Sequence, residues 1–515
     1  MELLLHEFLR LNAIRYPDRT AILFRNQRFT YSQFNARVNR LANALSNLGV
    51  KKGDKVAFMM TNCNELLEVG YAAPKIGAAF VPINSRSVAS EIEYLVNDSD
   101  SVAVFVNAEC LPEVIKARPN FALARNVIVV RGEAPAGTLS YEELLDGAPD
   151  TEPKVEVSEG DLMCLMYTGG TTGRPKGSIR SHRGIALLAL LFAIEYDYHE
   201  GDMGLVAGPL YGAAAFAFCI PNLTIGGAVC ILPVFHPVEA LKAIDQFKCN
   251  NAFLAPVMLD FILNLPDEVK KRYDVSSMKA IMSVGAPLHT DTKEGTIAYF
   301  KNSGLHELYG ASEHGASTDL KPYDQLRKTR CVGVPFLGME VKLLDKDGNE
   351  VPRGEMGEFW VRGLTVCDGY YKKPEATAEA LRNGWLGLGD MGRQDEEGYY
   401  YIVDRKKDMI ISGALNIYPT EIEDVLRKHP DIFDVAVIGV PDQKWGEAVK
   451  AVVELKEGAR ITADEIIKWC ENKMAGYKKP KSVDIVDQLP RTLQGKVLKY
   501  QLRKKYWENM DIKVQ

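Results

Sequence analysis

The chain has 515 residues, of which 46% are hydrophobic and 25% charged, with a formal net charge of -6 and a pI near 5.9. That length exceeds what one core fills, so two or more domains are expected, and the ordinary composition excludes collagen, coiled coil and wholesale disorder. The acidic balance excludes a surface built to neutralise many phosphates, so nucleic acid is not an expected partner.

The N-terminal stretch MELLLHEFLRLNAIRYPDRTA carries Glu2, His6, Glu7 and Arg10 among its apolar residues. It reads as an amphipathic helix and not as a secretory leader. Thr30 with Gln33 then forms a capping-box pattern before a helix whose Val38, Leu41, Leu45 and Leu48 share one face, with Gly49 as its stop. Strand KVAFMM, helix ELLEVGYAAPKIG, strand AAFVPI, helix EIEYLVND and strand SVAVFV follow, an alternation that favours sheets covered by helices. The apolar runs GIALLALLFAI (184 to 194) and LYGAAAFAFCIPNLTIGGAVCILPVF (210 to 235) are respectively too short for a bilayer and interrupted by Pro221, Asn222 and a glycine pair. Both are expected as buried core elements.

Beyond about residue 340 the texture becomes hairpin-like, with KLLDKDGNE, EMGEFWVRG and DEEGYYYIVDR. After the charged DRKKD comes a smaller unit: helix EIEDVLRKH, strands DVAVIGV and AVKAVVEL, a helix capped by Thr462 with Glu465, and strand SVDIVDQLP. The reading is an α/β protein with a large N-terminal domain, 1–403, of helix-covered sheets plus a β-rich subdomain, a boundary at 404–407, and a small α+β domain at 408–515. The nine cysteines contain no CxxC pair, so neither a disulfide framework nor a zinc site is indicated, and a cytoplasmic location is expected.

YTGGTTGRPKG, residues 167 to 177, concentrates glycine, threonine and cations between an apolar strand candidate, DLMCLMY, and a helix candidate, SHRGIALLALLFAI. A loop at the end of a buried strand is where α/β proteins place ligands. Gly169, Gly170, Gly173 and Gly177 would let backbone N–H groups face an anion, Thr168, Thr171 and Thr172 add hydroxyl donors, and Lys176 adds charge. The set suits a polyphosphate, against the alternative of a flexible surface loop. It is not a P-loop, because Pro175 precedes Lys176 and Gly177 follows it. GLGDMG (387 to 392) matches GxGxxG literally but leads into hairpin-like sequence, so it is read as chance.

The same loop closely resembles the phosphate signature of the adenylate-forming (AMP-binding) superfamily, which includes acyl-CoA synthetases, firefly luciferase and peptide-synthetase adenylation domains. Five further segments follow in that superfamily's order: SVGAPL (283 to 288), YGASEHG (309 to 315), GEFWVRGLTVCDGYYKKPEAT with WLGLGD, DRKKDMIISGALNIYPTEIE and LPRTLQGKVLK. The resemblance implies an AMP-forming carboxylate–CoA ligase using ATP, Mg2+ and coenzyme A. It further implies that Thr168, Gly169, Gly170, Thr171, Thr172, Gly173 and Lys176 hold the β- and γ-phosphates and that Ser312, where relatives usually carry Thr, touches the α-phosphate. Glu313 would bind Mg2+, Gly285, Ala286, Pro287 and Tyr309 would line the adenine, and Asp390 with Arg405 would attend the ribose. Lys496 would be the cation of the first half-reaction, and Lys407 the hinge of a mobile C-terminal domain.

For CoA, the resemblance points to Gly413, where Ala414 replaces a second Gly of many relatives, and to Trp445, Tyr477 and Lys479. The acyl pocket is expected around Tyr211, Gly212, Pro256, Val284 and Ala311. Gly212 stands where many relatives carry His, and three alanines follow it. Small residues there favour a medium-to-bulky alkyl, aryl or alicyclic acid, or else they only allow close helix packing. Two other readings remain open: transfer of the acyl group to a carrier-protein phosphopantetheine or another acceptor, and a non-catalytic nucleotide-binding protein. Monomer and dimer are equally compatible with the sequence.

Overall fold

The capping box read at Thr30 is present: the Thr30 hydroxyl accepts from the Gln33 amide and the Gln33 side chain accepts from the Thr30 amide, opening a helix over Tyr31–Asn47. Val38, Leu41 and Leu45 are buried along one stripe, and Gly49, at φ +88°, ends the element in the left-handed region. The computed structural model describes residues 2–168, 174–405, 408–412, 415–442, 444–471, 473–491 and 497–507.

The chain divides into two compact units, one of residues 1–329, 333–340 and 361–386 and one of 330–332, 341–360 and 387–515. The first holds two large sheets. A seven-stranded sheet places Lys55–Met59 at its centre between Ala79–Ile83 and Ser101–Asn107, all parallel, with Leu162–Thr168 following next to Ala79–Ile83. These strands are near-continuous apolar runs, because helices cover both faces of a parallel sheet. A nine-stranded sheet runs Ala228–Ile231, Met203–Val206, Asn251–Phe253, Ala280–Ser283 and Gly304–Ala311 in parallel, then turns back antiparallel through Gly315–Leu320. Parallel pairing sends the C-terminal ends of these strands to one edge of the sheet.

The two apolar runs are core elements, as expected. The first lies in helix His182–Glu195, and the second divides into helix Ala213–Ile225 and strand Ala228–Ile231. The helix continues through Pro221 and Asn222 and stops only at Gly226, φ +94°. Asn222 is tolerated there because its amide exchanges hydrogen bonds with Asn251, at 2.9 and 3.1 Å. No helix among the described residues is long and apolar enough to cross a membrane.

In the second unit the smaller α+β section appears as read. Helix Pro419–Arg427 packs on the antiparallel pair Ile432–Asp442 and Gly446–Leu455, and Ser482–Val486 adds in parallel to the latter. GLGDMG falls within strand Trp385–Gln394 and not at a strand-to-helix turn, consistent with a chance match. All nine cysteines are buried free thiols.

Two buried histidines have a measurable consequence. His6 and His182 meet edge to face with ring centroids 5.6 Å apart. Burial lowers both: His6 falls well below its ordinary value, with His182, Lys75 and Arg10 adding to the effect, and His182 falls to about 4, with Asp161 opposing and Lys52 adding. In the unfolded chain both would titrate near 6.5. Between pH 6.5 and 4 the unfolded chain therefore binds protons that the folded one refuses, and stability falls as pH falls through that window. Chemical denaturation should show lower stability at pH 5 than at pH 7, and His182→Leu should shrink the difference by about 2 kcal/mol.

Candidate active site

The phosphate-loop signature is anchored at both ends. Strand Leu162–Thr168 pairs antiparallel with a second strand, Lys176–Ser181, in a register that sets Thr168 opposite Lys176 and Tyr167 opposite Gly177. This strand intervenes between the loop and the expected helix, and its short, polar sequence KGSIRS carries no apolar strand pattern. Lys176 accordingly stands on a strand. At Gly177 a Cβ would lie 3.1 Å from the Tyr167 ring, so this glycine makes room for an aromatic packed across the hairpin. Tyr167 donates to Asp98 at 2.8 Å and Tyr94 donates to the Pro175 carbonyl at 2.8 Å, which ties down the arms of the hairpin. Gly169, Gly170, Thr171, Thr172 and Gly173 lie outside the described residues.

The second part of the site is the hairpin between Gly304–Ala311 and Gly315–Leu320. Its register shifts between Tyr309 and Gly310, and a Cβ at Gly310 would meet the Gly315 carbonyl at 2.3 Å, so only glycine permits this tight return. Ser312, Glu313 and His314 form the tip. Tyr309 is half-buried with its ring 5.8 Å from that of His314, and His314 Nδ1 lies 2.7 Å from the Ser317 hydroxyl.

The neighbouring parallel strand, Ala280–Ser283, aligns Ser283 with Glu307, so the turn that follows it, Val284 to Pro287, emerges at the same sheet edge as Tyr309. Gly285 sits at φ +100°, a conformation glycine adopts freely, and the Glu307 carboxylate accepts from the Leu288 amide at 3.2 Å while pairing with the buried Lys293 at 2.5 Å. The structure thus brings the expected adenine residues Gly285, Ala286, Pro287 and Tyr309 to one edge with Ser312 and Glu313.

The same edge carries the expected acyl residues. Strand Met203–Val206 leads to Tyr211 and Gly212, strand Asn251–Phe253 to Pro256, Val284 follows strand Ala280–Ser283, and Ala311 ends strand Gly304–Ala311. Asn62 fixes the approach to Tyr211: its amide donates to the Gly208 and Leu232 carbonyls and its oxygen accepts from the Leu210 amide. Ala215 is buried, whereas Ala213 and Ala214 are only half-buried at the helix start. Phe218 and Phe253 stack below, with centroids 5.4 Å apart at 12°.

Glu313 is 6% exposed, so its carboxylate is committed to a specific partner. The Tyr370 hydroxyl donates to Glu313 Oε1 at 3.1 Å, and the Glu313 carbonyl accepts from the Cys367 amide at 2.7 Å. The Tyr370 ring lies beneath the Lys176 ammonium, 5.3 Å from Nζ to its centroid. The phosphate-loop lysine and the expected metal-binding acid are therefore joined through one tyrosine.

A second unread residue is Arg180, 3% exposed, whose guanidinium donates to the Ser312 carbonyl at 2.5 Å and to the Thr365 carbonyl at 2.8 Å. Both residues carried faint signals. Tyr370 lies in the GYYKKPEAT run, and the strand alternation of KGSIRS puts Arg180 on the same face as Ser178.

In the second unit, Asp390 is 5% exposed on strand Trp385–Gln394 and pairs across the sheet with Arg405. Asp404, next to the expected hinge, accepts from the Thr420 amide and hydroxyl, each at 3.1 Å. Lys407, Gly413, Ala414 and Lys496 lie outside the described residues. The flanks of Lys496 are described: Arg491 bridges to Val497, and the Leu498 amide donates to the Pro490 carbonyl at 2.8 Å. Trp445 and Tyr477 are large aromatics left 48% and 45% exposed, and Lys479 reaches Glu471 at 3.5 Å.

An anchored glycine–threonine loop, a buried acid and a half-buried tyrosine at the ends of parallel strands define a nucleotide-handling enzyme of the α/β class. The AMP-binding enzyme family matches residues 9–371 and the AMP-binding enzyme C-terminal domain matches residues 421–496, and the chain belongs to this family of AMP-forming acyl- and aryl-CoA ligases. It is 37% identical to a feruloyl-CoA synthase of Amycolatopsis sp over 494 residues, covering 95% of this chain and 96% of that one. It is 35% identical to the long-chain-fatty-acid–CoA ligase FadD13 of Mycobacterium tuberculosis, covering 93% of each. Among solved structures it resembles the anthranilate CoA ligase AuaEII in complex with anthranoyl-AMP, with a TM-score of 0.90 at 27% identity and 98% coverage of both chains.

Arg180→Met would strip two carbonyls of their buried donor. Denaturant unfolding at pH 7 should show a loss of about 2 to 4 kcal/mol, with Arg180→Lys intermediate because an ammonium lacks the forked geometry.

Proposed function

We propose that this protein couples a medium-to-bulky alkyl, aryl or alicyclic carboxylic acid to coenzyme A through an acyl-adenylate. The observation that carries the reading is the hairpin tip Ser312–Glu313 held at the ends of the parallel strands and joined through Tyr370 to Lys176. A carboxylate is a poor electrophile, and adenylation supplies a good leaving group. The acid oxygen attacks the α-phosphorus of ATP, forming an O–P bond as the bond to pyrophosphate breaks. The CoA thiolate then attacks the acyl carbon and AMP departs with the electron pair.

In this reading Thr168 and Lys176, with 169–173, hold the β- and γ-phosphates, and the Ser312 hydroxyl addresses the α-phosphate. Developing phosphate charge needs fixed positive charge and donors at that place. Glu313 is the residue that would hold Mg2+. One of its oxygens accepts from Tyr370, and no group of three or more His, Cys, Asp or Glu side chains that could hold a metal ion exists among the described residues. That donor set fits a hard cation whose other ligands are phosphate oxygens and water. When bound, the ion neutralises phosphate charge.

Gly285, Ala286, Pro287 and Tyr309 form the adenine side, Asp390 accepts from the ribose hydroxyls with Arg405 beside them near the phosphate, and Lys496 supplies the cation of adenylation. Lys407 serves as the hinge between the two half-reactions, and Gly413, Trp445, Tyr477 and Lys479 attend CoA. The small residues Gly212, Ala213 and Ala214 support a roomy acyl pocket, as do relatives named for feruloyl and long-chain acyl groups. The buried free thiols support a cytoplasmic location.

Pyrophosphate release from ATP and Mg2+ across a panel of carboxylates, with and without CoA, tests the reading. Aryl or extended alkyl acids should give release that multiplies with CoA, whereas release indifferent to CoA would refute it. Lys496→Ala should lower acyl-adenylate formation by at least about a hundredfold yet spare thioester formation from supplied acyl-adenylate. Equal loss in both assays would remove that role.

A further inference from the structure

We propose that Tyr370 is a positioning residue that sets the metal-binding orientation of Glu313 and separately steadies Lys176, using its hydroxyl for the first task and its ring for the second. The inference rests on the roles read above for Glu313 and Lys176.

Three observations carry it. The phenol donates to Oε1 of Glu313 at 3.1 Å, which leaves Oε2 as the oxygen free of that bond. The ring of the same residue lies 5.3 Å from the Lys176 ammonium, within the range of a cation–π contact. Tyr370 is itself held on several sides. Its amide donates to the Thr377 hydroxyl at 2.9 Å, and its backbone bridges to Ser178 beside Lys176 on the phosphate-loop strand. The amides of Ile179 and Tyr371 donate to the carbonyls of Gly369 and Gly177 at 2.9 and 2.8 Å. Gly369, at φ +119°, lets this segment pass Thr377, because a Cβ there would come within 2.4 Å of the Thr377 methyl.

The chemistry of the phenol suits the task. A phenol is a proton donor at neutral pH, and this one donates to the carboxylate. A carboxylate with one oxygen pinned presents the other in a fixed direction, which is the function that outer partners of metal-binding carboxylates perform. A neutral bridge also keeps both charges available. A direct Lys176–Glu313 ion pair would spend the charge that phosphate and metal each require.

The test is the Mg2+ dependence of pyrophosphate release in the full-length enzyme with its best acid. Tyr370→Phe keeps the ring and removes the hydroxyl. It should raise the half-saturating Mg2+ concentration about tenfold while leaving the KM for ATP at saturating Mg2+ within about twofold. Tyr370→Leu removes the ring as well and should also raise that KM, by about fivefold. A Tyr370→Phe enzyme with unchanged Mg2+ demand, beside a Glu313→Gln enzyme whose demand rises, would overturn the coupling. If Glu313→Gln leaves the Mg2+ demand unchanged, the metal role of Glu313 fails and this inference falls with it. Thermal melts of each variant separate these outcomes from loss of fold, since a purely structural tyrosine would shift the melt and not the Mg2+ titration.

Discussion

A single buried guanidinium joins the parts on which the site depends. Arg180 stands on the strand that carries Lys176, and it reaches the Ser312 carbonyl in the tip of the Gly304–Ala311 hairpin and the Thr365 carbonyl in the segment leading to Tyr370. The seven-stranded sheet supplies the first, the nine-stranded sheet the second, and the chain near residue 365 the third. Burying a charge is costly unless its donors are used, and both acceptors here are backbone oxygens whose positions the fold sets. The arrangement converts a desolvation cost into fixed spacing between the strand that carries Lys176 and the hairpin that carries Ser312 and Glu313.

The strand that carries Lys176 leads into a capped helix. Helix His182–Glu195 begins beyond the phosphate-loop strand, and the Ser181 hydroxyl accepts from the Gly184 amide to close its N-terminus. The helix start is closed by its own cap. In the proposed reading, positive charge for the phosphates comes from Lys176 on that strand. A strand-borne lysine is more restricted than one on a free loop, because its backbone is fixed by pairing with Thr168 on one side and by the segment around Tyr370 on the other.

Much of this was legible in the sequence, and the reasons are specific. Thr30 with Gln33 and Thr462 with Glu465 announced helix starts because a capping box satisfies reciprocal donors within four residues, a local event that needs no tertiary information. Parallel strands such as Lys55–Met59 and Ala79–Ile83 announced themselves as unbroken apolar runs. The signature segments identified the family, and the parallel topology explains why SVGAPL and YGASEHG meet at one sheet edge: their parent strands are neighbours in the ladder.

What escaped was set by distant partners. Lys176–Ser181 is a strand because Leu162–Thr168 and the chain near 369 pair with it, not because its residues favour extended backbone. The packing of Tyr167 against Gly177 is likewise set by the pairing of two strands and not by the local sequence.

The joining of Lys176 to Glu313 through Tyr370 belongs to the same class, and its logic is electrostatic. A site for a polyphosphate and its counter-ion needs a cation and an anion close together yet not neutralised by one another. Proximity alone would favour a direct ion pair, whose Coulomb attraction grows as water is excluded. A tyrosine resolves the conflict because its two ends have opposite character: the electron-rich ring face attracts the ammonium, and the polarised hydroxyl donates to the carboxylate. No residue with a formal charge could serve both neighbours, and phenylalanine could serve only one. The choice of tyrosine at position 370 therefore follows from the charges on either side of it, although nothing in the local sequence GYYKKPEAT announces that constraint.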